Sequence, residues 1–241
     1  MKLVQRYASE VTAFVGVCHR LAARGFVTSY GGNCAWRLDK DIILITPTQM
    51  NKGAIEAGDV VFIDGKGDIL EGERKPTGER PMYVNFFTSR PDVVSVVHCH
   101  PPYVCACAIA GDREMLMRPY YPETVTEVGP VPVVPYGEPL TQKLADAFSP
   151  LLPRYNSFIM ENHGLVTMTR SDISWTLMTV ELLESSAQSL LTALSVGPVR
   201  ELTMESVRDL GNVMKTRDLP LFGAPGVNAT LEGMFFDGMD R

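Results

Sequence analysis

Val93-Val94-Ser95-Val96-Val97-His98-Cys99-His100-Pro101-Pro102 is the stretch on which the fold turns. Its β-branched run lies between Pro91-Asp92 and a pair of prolines, the pattern of a buried strand with a rigid end. Strand side chains alternate between faces, so His98 and His100 present two imidazoles on one side while Cys99 turns to the other. Two neutral imidazoles at this spacing can share one metal ion at about 2.0–2.1 Å; the plainer alternative is two partly exposed polar residues at a strand end. A third histidine, His163, follows a second apolar strand and precedes Gly164, in a turn where the backbone can be pressed close to a site; a turn histidine bonded to a carbonyl is its plainer alternative. The fourth and last, His19, sits beside Cys18 and Arg20 on a helix and reads as structural or surface. Three imidazoles leave an open position on zinc, the arrangement of a catalytic rather than a structural site. Zinc there would act as a Lewis acid on a substrate oxygen. Three imidazoles suit zinc, with Mn2+ or another divalent metal as the alternative.

Outward from this strand, helices alternate with hairpin-like pairs. Leu3, Tyr7, Val11, Phe14, Cys18 and Leu21 recur at steps of three and four, which predicts an amphipathic helix closed at Arg24-Gly25. Short strands are expected over Cys34–Leu38, Asp41–Ile45, Val60–Ile63 and Ile69–Leu70, with turns at Asp39-Lys40 and Asp64-Gly65-Lys66-Gly67. Pro81 opens a helix that ends near Ser89-Arg90-Pro91. A helix over Tyr103–Ala110 follows the histidine strand. Residues 118 to 138 read as irregular, with a short strand at Val131–Val134. Then come a helix over Thr141–Ser149, strands over Ser157–Met160 and Leu165–Met168 joined by Glu161-Asn162-His163-Gly164, and a long helix over Asp172–Leu194. No internal repeat is present. This order predicts an α/β sandwich, a mixed or mostly antiparallel sheet with helices on both sides. Residues after Pro220 have no clear period and read as a C-terminal tail, which orders on a neighbouring subunit or closes over the site.

Composition narrows the function classes. The chain has 241 residues, 45% hydrophobic and 21% charged, enough for one large core without disulfides. No stretch reads as a linker, so residues 1–241 are expected to form a single domain. A net charge of −6 and the absence of a basic stripe exclude nucleic acid as the main partner. No run approaches a membrane span, and the start at Met1-Lys2-Leu3 turns polar too soon for a signal peptide, so no membrane partner is expected and a cytoplasmic location is. Five cysteines, odd in number, fit reduced thiols.

Pro76-Thr77-Gly78-Glu79-Arg80-Pro81 places a carboxylate at a helix start. Alone, it reads as an acid paired with a helix N-terminus. That helix leads into the His98 strand, however, and a return of the chain would bring Glu79 beside the metal, as a fourth ligand or a general acid/base.

Taken in order, Gly32-Asn33, Thr46-Pro47-Thr48, Pro76-Thr77-Gly78-Glu79, Arg90-Pro91-Asp92-Val93, Val97-His98-Cys99-His100-Pro101-Pro102 and Asn162-His163-Gly164 resemble the class II aldolase/adducin family, of which L-fuculose-phosphate aldolase is a familiar member. The resemblance runs from about residue 5 to about residue 195. It implies a three-layer α/β/α sandwich around a mainly antiparallel central sheet, and a homo-oligomer, a tetramer above all, with sites between subunits. It implies zinc on His98, His100 and His163, with Glu79 as acid/base. The family's epimerases typically carry aspartate at that loop position, so Glu79 favours the aldolase side. The implied activity is that of a lyase acting on a small molecule: a divalent-metal-dependent cleavage of a hydroxy-ketone or ketose, phosphorylated or not, through a metal-stabilised ene-diolate. Decarboxylation of a hydroxy- or keto-acid on the same scaffold is the second reading. A non-catalytic adducin-like assembly module is the third, which the full metal set opposes. A tyrosine is expected as second acid, Tyr136 being chosen over Tyr120 and Tyr121.

The anion loops depart from the sugar-phosphate pattern. Members usually read Gly-Asn-x-Ser, Thr-Pro-Ser/Thr-Gly and Ser-Ser-Glu; here the loops are Gly32-Asn33-Cys34-Ala35, Thr46-Pro47-Thr48-Gln49 and Thr77-Gly78-Glu79. Asn33, Thr48, Thr77 and Gly78 still suffice for a reduced anion or polar pocket. The changes weaken the case for phosphate, and a smaller anion such as a carboxylate, or an unphosphorylated polar group, fits the reduced hydroxyl count.

Overall fold

A computed structural model describes residues 1–237. Its centre is an eight-stranded sheet in the order β4-β3-β2-β1-β5-β8-β7-β6. In chain order the strands are β1 (Asn33–Asp39), β2 (Ile42–Ile45), β3 (Val61–Ile63), β4 (Ile69–Glu71), β5 (Ser95–Cys99), β6 (Val133–Val134), β7 (Ser157–Met160) and β8 (Gly164–Thr169). Every neighbouring pair is antiparallel except β6–β7, which is parallel. The helices are α1 (Leu3–Arg6), α2 (Ala8–Ala23), α3 (Arg80–Ser89), α4 (Pro102–Ile109), α5 (Pro122–Glu127), α6 (Gln142–Ala147), α7 (Ile173–Val196), α8 (Met204–Thr216) and α9 (Leu231–Phe236).

Period-two alternation along the strands separates two cores. Cys34, Leu44, Phe62, Val97, Cys99 and Leu165 face one layer with α2, α4 and α7. Ala35, Ile43, Ile45, Val96, Phe158 and Val166 face the other, with α3, α6, α8 and α9. This is the expected three-layer α/β/α sandwich. β5 is buried along its whole length because it runs between β1 and β8, with Val97 opposite Cys34 and Thr167.

Local chemistry sets most boundaries. The Phe26 N–H donates to the Leu21 carbonyl and the Gly25 N–H to Ala22, with Gly25 at φ +70, which closes α2 as a Schellman turn. Asp64 Oδ1 accepts from the Lys66 and Asp68 N–H groups and shapes the β3–β4 turn. The expected first helix is broken at Tyr7, whose φ of −111° and ψ of 37° lie outside the helical region. The segment read as irregular contains α5, started by Pro122, and its strand is shorter than expected, covering only Val133–Val134.

The C-terminal segment packs on its own chain. Leu231, Met234 and Phe235 of α9 are buried in the second core, against α8. The described part of the tail therefore covers its own α8 layer rather than the cavity lined by Asn33, Glu79 and His98. Residues 238–241 of that tail lie outside the described residues.

Candidate metal centre and active site

The register of three strands assembles the site. Asn33 pairs with His98 across β1–β5, and His98 pairs with Val166 across β5–β8. Directly opposed residues share a face, so Asn33 and His98 point into the same layer. His100 follows the strand end, held by its N–H on the Phe26 carbonyl. His163 closes the β7–β8 turn: its N–H donates to the Met160 carbonyl, and Asn162 takes the left-handed conformation at φ +56. Gly164 is required there, since a Cβ would lie 2.5 Å from His100 Cδ2 and 2.7 Å from the Cys99 carbonyl oxygen.

The three imidazoles converge, each offering a ligand atom within 4.8 Å of the others. His98 is 1% exposed, and its Nδ1 lies 2.9 Å from the Leu165 carbonyl oxygen. A carbonyl only accepts, so Nδ1 carries the proton and Nε2 is left with its lone pair toward the other rings. His100 Nε2 and His163 Nδ1 are buried with no hydrogen-bond partner. Orphaned buried nitrogens are rare, and three imidazoles whose ligand atoms lie within 4.8 Å of one another are a donor set that a divalent cation satisfies. Burial, with the neighbouring His98 acting in the same sense, pushes His100 down to about 3 and His163 down to about 4. Both are therefore neutral at pH 7, the form that ligates. The residues present fit a bound divalent metal.

Glu79 is brought to these rings, as the helix-return argument anticipated. It caps the start of α3, yet its side chain makes no cap bond. Instead Oε2 accepts from Asn33 Nδ2 at 2.8 Å and lies 3.4 Å from His98 Nε2, while Oε1 lies 3.9 Å from His163 Nε2. The carboxylate is 5% exposed. Asn33 is held in turn by the Tyr83 hydroxyl, which lies 2.6 Å from Oδ1 and 2.7 Å from the Asn33 carbonyl. That contact fixes the amide orientation, leaving Nδ2 for Glu79.

A cavity of about 300 Å³ opens over these groups. Asn33, Thr48, Thr77, Gly78, Glu79, His98, His100 and His163 all line it. The Thr46–Thr48 and Lys75–Thr77 loops are stitched together: the Thr48 N–H donates to the Lys75 carbonyl and the Thr77 N–H to the Thr46 carbonyl. Gln49 lines the cavity with φ +52, at the position where the sugar-phosphate pattern has glycine. Pro139 and Leu140 form an apolar wall near Gly78. Tyr136 is not brought in: it is 61% exposed, its N–H donates to Glu161, and it does not line the cavity. Two residues escaped the sequence reading. Tyr83 sat on the apolar face of a helix, where an aromatic reads as core. Lys52, a cavity residue, lay in a polar stretch that reads as a solvated loop.

A three-histidine cluster that fits a divalent metal, with a buried carboxylate beside it, lies on a mainly antiparallel α/β/α sandwich. The sequence profile described as Class II Aldolase and Adducin N-terminal domain matches residues 12–191, and the chain belongs to that family. It is 31% identical over 189 residues to a 3-oxo-tetronate 4-phosphate decarboxylase of Pectobacterium atrosepticum, covering 78% of this chain and 85% of the relative. It is also 31% identical over 179 residues to an L-fuculose phosphate aldolase of Methanococcus maripaludis, covering 74% and 94%. Among solved structures, YgbL of Klebsiella pneumoniae superposes with a TM-score of 0.78 at 31% identity, covering 84% of this chain and 98% of that one. The chain is thus a carbon–carbon lyase that takes a divalent metal and a small-molecule substrate. No helix among the described residues is long and apolar enough to cross a membrane.

Proposed function

We propose that this chain cleaves a carbon–carbon bond in a small hydroxy-ketone, ketose or hydroxy/keto-acid, with zinc on His98, His100 and His163 and Glu79 as general acid/base. The observation that carries the assignment is the position of the Glu79 carboxylate, 3.4 Å from His98 Nε2 and hydrogen-bonded to Asn33. When bound, the metal supplies a Lewis acid for the substrate oxygens and for the charge left by cleavage. Glu79 exchanges the proton at the reacting carbon. Asn33 orients Glu79, with Tyr83 holding Asn33. Thr48, Thr77 and Gly78 line the part of the cavity that takes the polar or anionic end of the substrate. Burial under the surrounding loops limits water at the reacting atoms.

Tyr136, at 61% exposure, cannot act as second acid on its own chain's cavity without moving. We assign it to the cavity of a neighbouring subunit, which agrees with a homotetrameric assembly. The same proposal holds the chain to be one cytoplasmic domain with a C-terminal tail from about residue 220, with neither nucleic acid nor membrane as partner.

Decarboxylation is the second reading. It is favoured by the altered anion loops, which suit a carboxylate as a smaller anion than phosphate. The test is a panel of ketose phosphates, free ketoses and hydroxy-acids, run with zinc-loaded protein and with Glu79→Gln. Released aldehyde marks the first reading and trapped carbon dioxide the second. Full turnover by Glu79→Gln would end the acid/base assignment, and a purified protein unable to retain zinc would end both lyase readings.

A further inference from the structure

Among the described residues that line the metal cavity, Lys52 is the one cation, and the proposed chemistry leaves its position unexplained. It lines the metal cavity yet is only 2% exposed. Its Nζ donates to the Met50 carbonyl at 2.9 Å and to the Tyr30 carbonyl at 3.3 Å. Tyr30 precedes Gly31, where a Cβ would lie 3.0 Å from His100 Nδ1, so the ammonium is anchored next to the backbone that packs on the metal ring. Among the described residues no carboxylate lies within ion-pair distance of it. Glu79, the acid in the same cavity, spends one oxygen on Asn33.

An ammonium has three N–H donors, and two are engaged. Burying a cation against main-chain carbonyls alone is costly, and buried charges are as a rule paired with an opposite charge. Burial pushes the Lys52 ammonium down from its ordinary value, and Cys34, Cys18 and, after them, Glu79 oppose that shift. With Glu79 offset by Lys52, a divalent metal leaves the cavity with an excess of positive charge. The hydroxyls that would wrap a phosphate are missing at Ala35 and Gly78, and Gln49 stands where the sugar-phosphate pattern has glycine, so charge has to replace hydrogen-bond count.

We propose that Lys52 is the specificity-determining residue of this cavity, its ammonium taking an anionic group of the substrate, a carboxylate or a phosphate. This deepens the proposed lyase reading by naming its substrate class, and it rests on that reading only for the metal's presence.

The test measures binding rather than turnover. Zinc-loaded wild type, Lys52→Met, Lys52→Gln and Lys52→Arg are titrated calorimetrically with glycolate, inorganic phosphate and the neutral dihydroxyacetone, and zinc per chain is measured for each. Lys52→Gln keeps an amide donor for the Tyr30 and Met50 carbonyls and so separates charge from packing if Lys52→Met does not fold. The expected result is a loss of about 10- to 100-fold for glycolate, phosphate or both in the uncharged variants. Dihydroxyacetone binding and zinc content should be unchanged, and Lys52→Arg should restore the anion. The arm that falls identifies the oxyanion. Unchanged affinity for both anions, or an equal loss for dihydroxyacetone, overturns the proposal. If the wild type holds no zinc, the lyase reading fails on that measurement, and the phosphate titration of the metal-free protein still decides the role of Lys52.

Discussion

Asn33 and Glu79, 46 residues apart in the chain, are joined by a 2.8 Å hydrogen bond that aims the carboxylate at the histidine cluster. The bond depends on a third group, because the Tyr83 hydroxyl on Asn33 Oδ1 decides which end of the amide faces Glu79. Tyr83→Phe should therefore cost about 1–3 kcal/mol, the usual penalty for stranding a buried acceptor. It should also lower kcat more than it raises KM. Urea unfolding and steady-state kinetics on the best panel substrate would check this. An unaltered midpoint together with unaltered kcat would remove Tyr83 from the site.

Replacing Asn33 by aspartate sets a second carboxylate against Glu79. Like charges at this separation raise the affinity of the pair for a proton. Activity should fall by about 10²- to 10⁴-fold, the range of a disabled general acid/base. The acid limb of the kcat/KM profile should move to higher pH. A profile superimposable on that of the wild type would contradict the pairing.

Gly164→Ala tests the packing of the metal turn. The added methyl would approach within 2.5 Å of His100 Cδ2 and 2.7 Å of the Cys99 carbonyl oxygen, and the latter is main chain and cannot swing away. His100 should be displaced, and zinc per chain should drop well below that of the wild type while the circular-dichroism spectrum stays native. Retention of full zinc occupancy would show that the turn relaxes at little cost.

Metal removal should appear as lost stability. A ligand bound only to the folded state at a hundredfold excess over its Kd contributes about 2.7 kcal/mol. Chelation should lower Tm, zinc should restore it, and His163→Ala should abolish the difference. A Tm indifferent to zinc in the wild type would contradict a site assembled by folding.

Acid sensitivity should come from the far end of β5. Burial disfavours the Asp92 carboxylate, but hydrogen bonds from Arg90 and Arg170 outweigh it and hold Asp92 at about 2, below the ordinary 3.8. A depressed carboxylate stabilises the fold above its unfolded pKa. That contribution is complete above about pH 4 and fades as pH falls toward 2. The Tm difference between the wild type and Asp92→Asn should be largest near neutrality and vanish near pH 2. A difference independent of pH would rule out the linkage.

Much of the site was legible because strand parity is rigid. His98 and His100 were assigned to one face from spacing alone, His163 and Glu79 were candidates from their turn and helix-start positions, and the order of the motifs joined them to the pair. The two faces of the sheet followed from period-two alternation. Tyr136 was not legible: which tyrosine of an irregular segment turns inward depends on tertiary packing and, in our proposal, on another subunit. Tyr83 and Lys52 were hidden for the opposite reason, since a buried hydroxyl looks like core and a buried ammonium looks like surface until its neighbours are known. Arg90, in a motif quoted for its family order, is 1% exposed, and its guanidinium also bonds the Leu152 and Tyr155 carbonyls. It clamps the entry to β5 far from the chemistry. The amphipathic α8, begun by the Thr203 cap on the Ser206 N–H, went unread beyond the long helix.

The central place of β5 has a consequence for how the chain is made. One of its neighbours, β1, is synthesised before it, while the other, β8, follows His163, which is 63 residues beyond His100. At about 5–20 residues per second, a ribosome needs about 3–13 s to cover that gap. During that interval the growing polypeptide displays a two-histidine claw and an unpaired, apolar strand edge. The full centre cannot exist until the β7–β8 turn has emerged. Metal arriving early meets a weak, incomplete chelate, and the unfinished sheet is exposed to chaperones and to aggregation until β8 closes it.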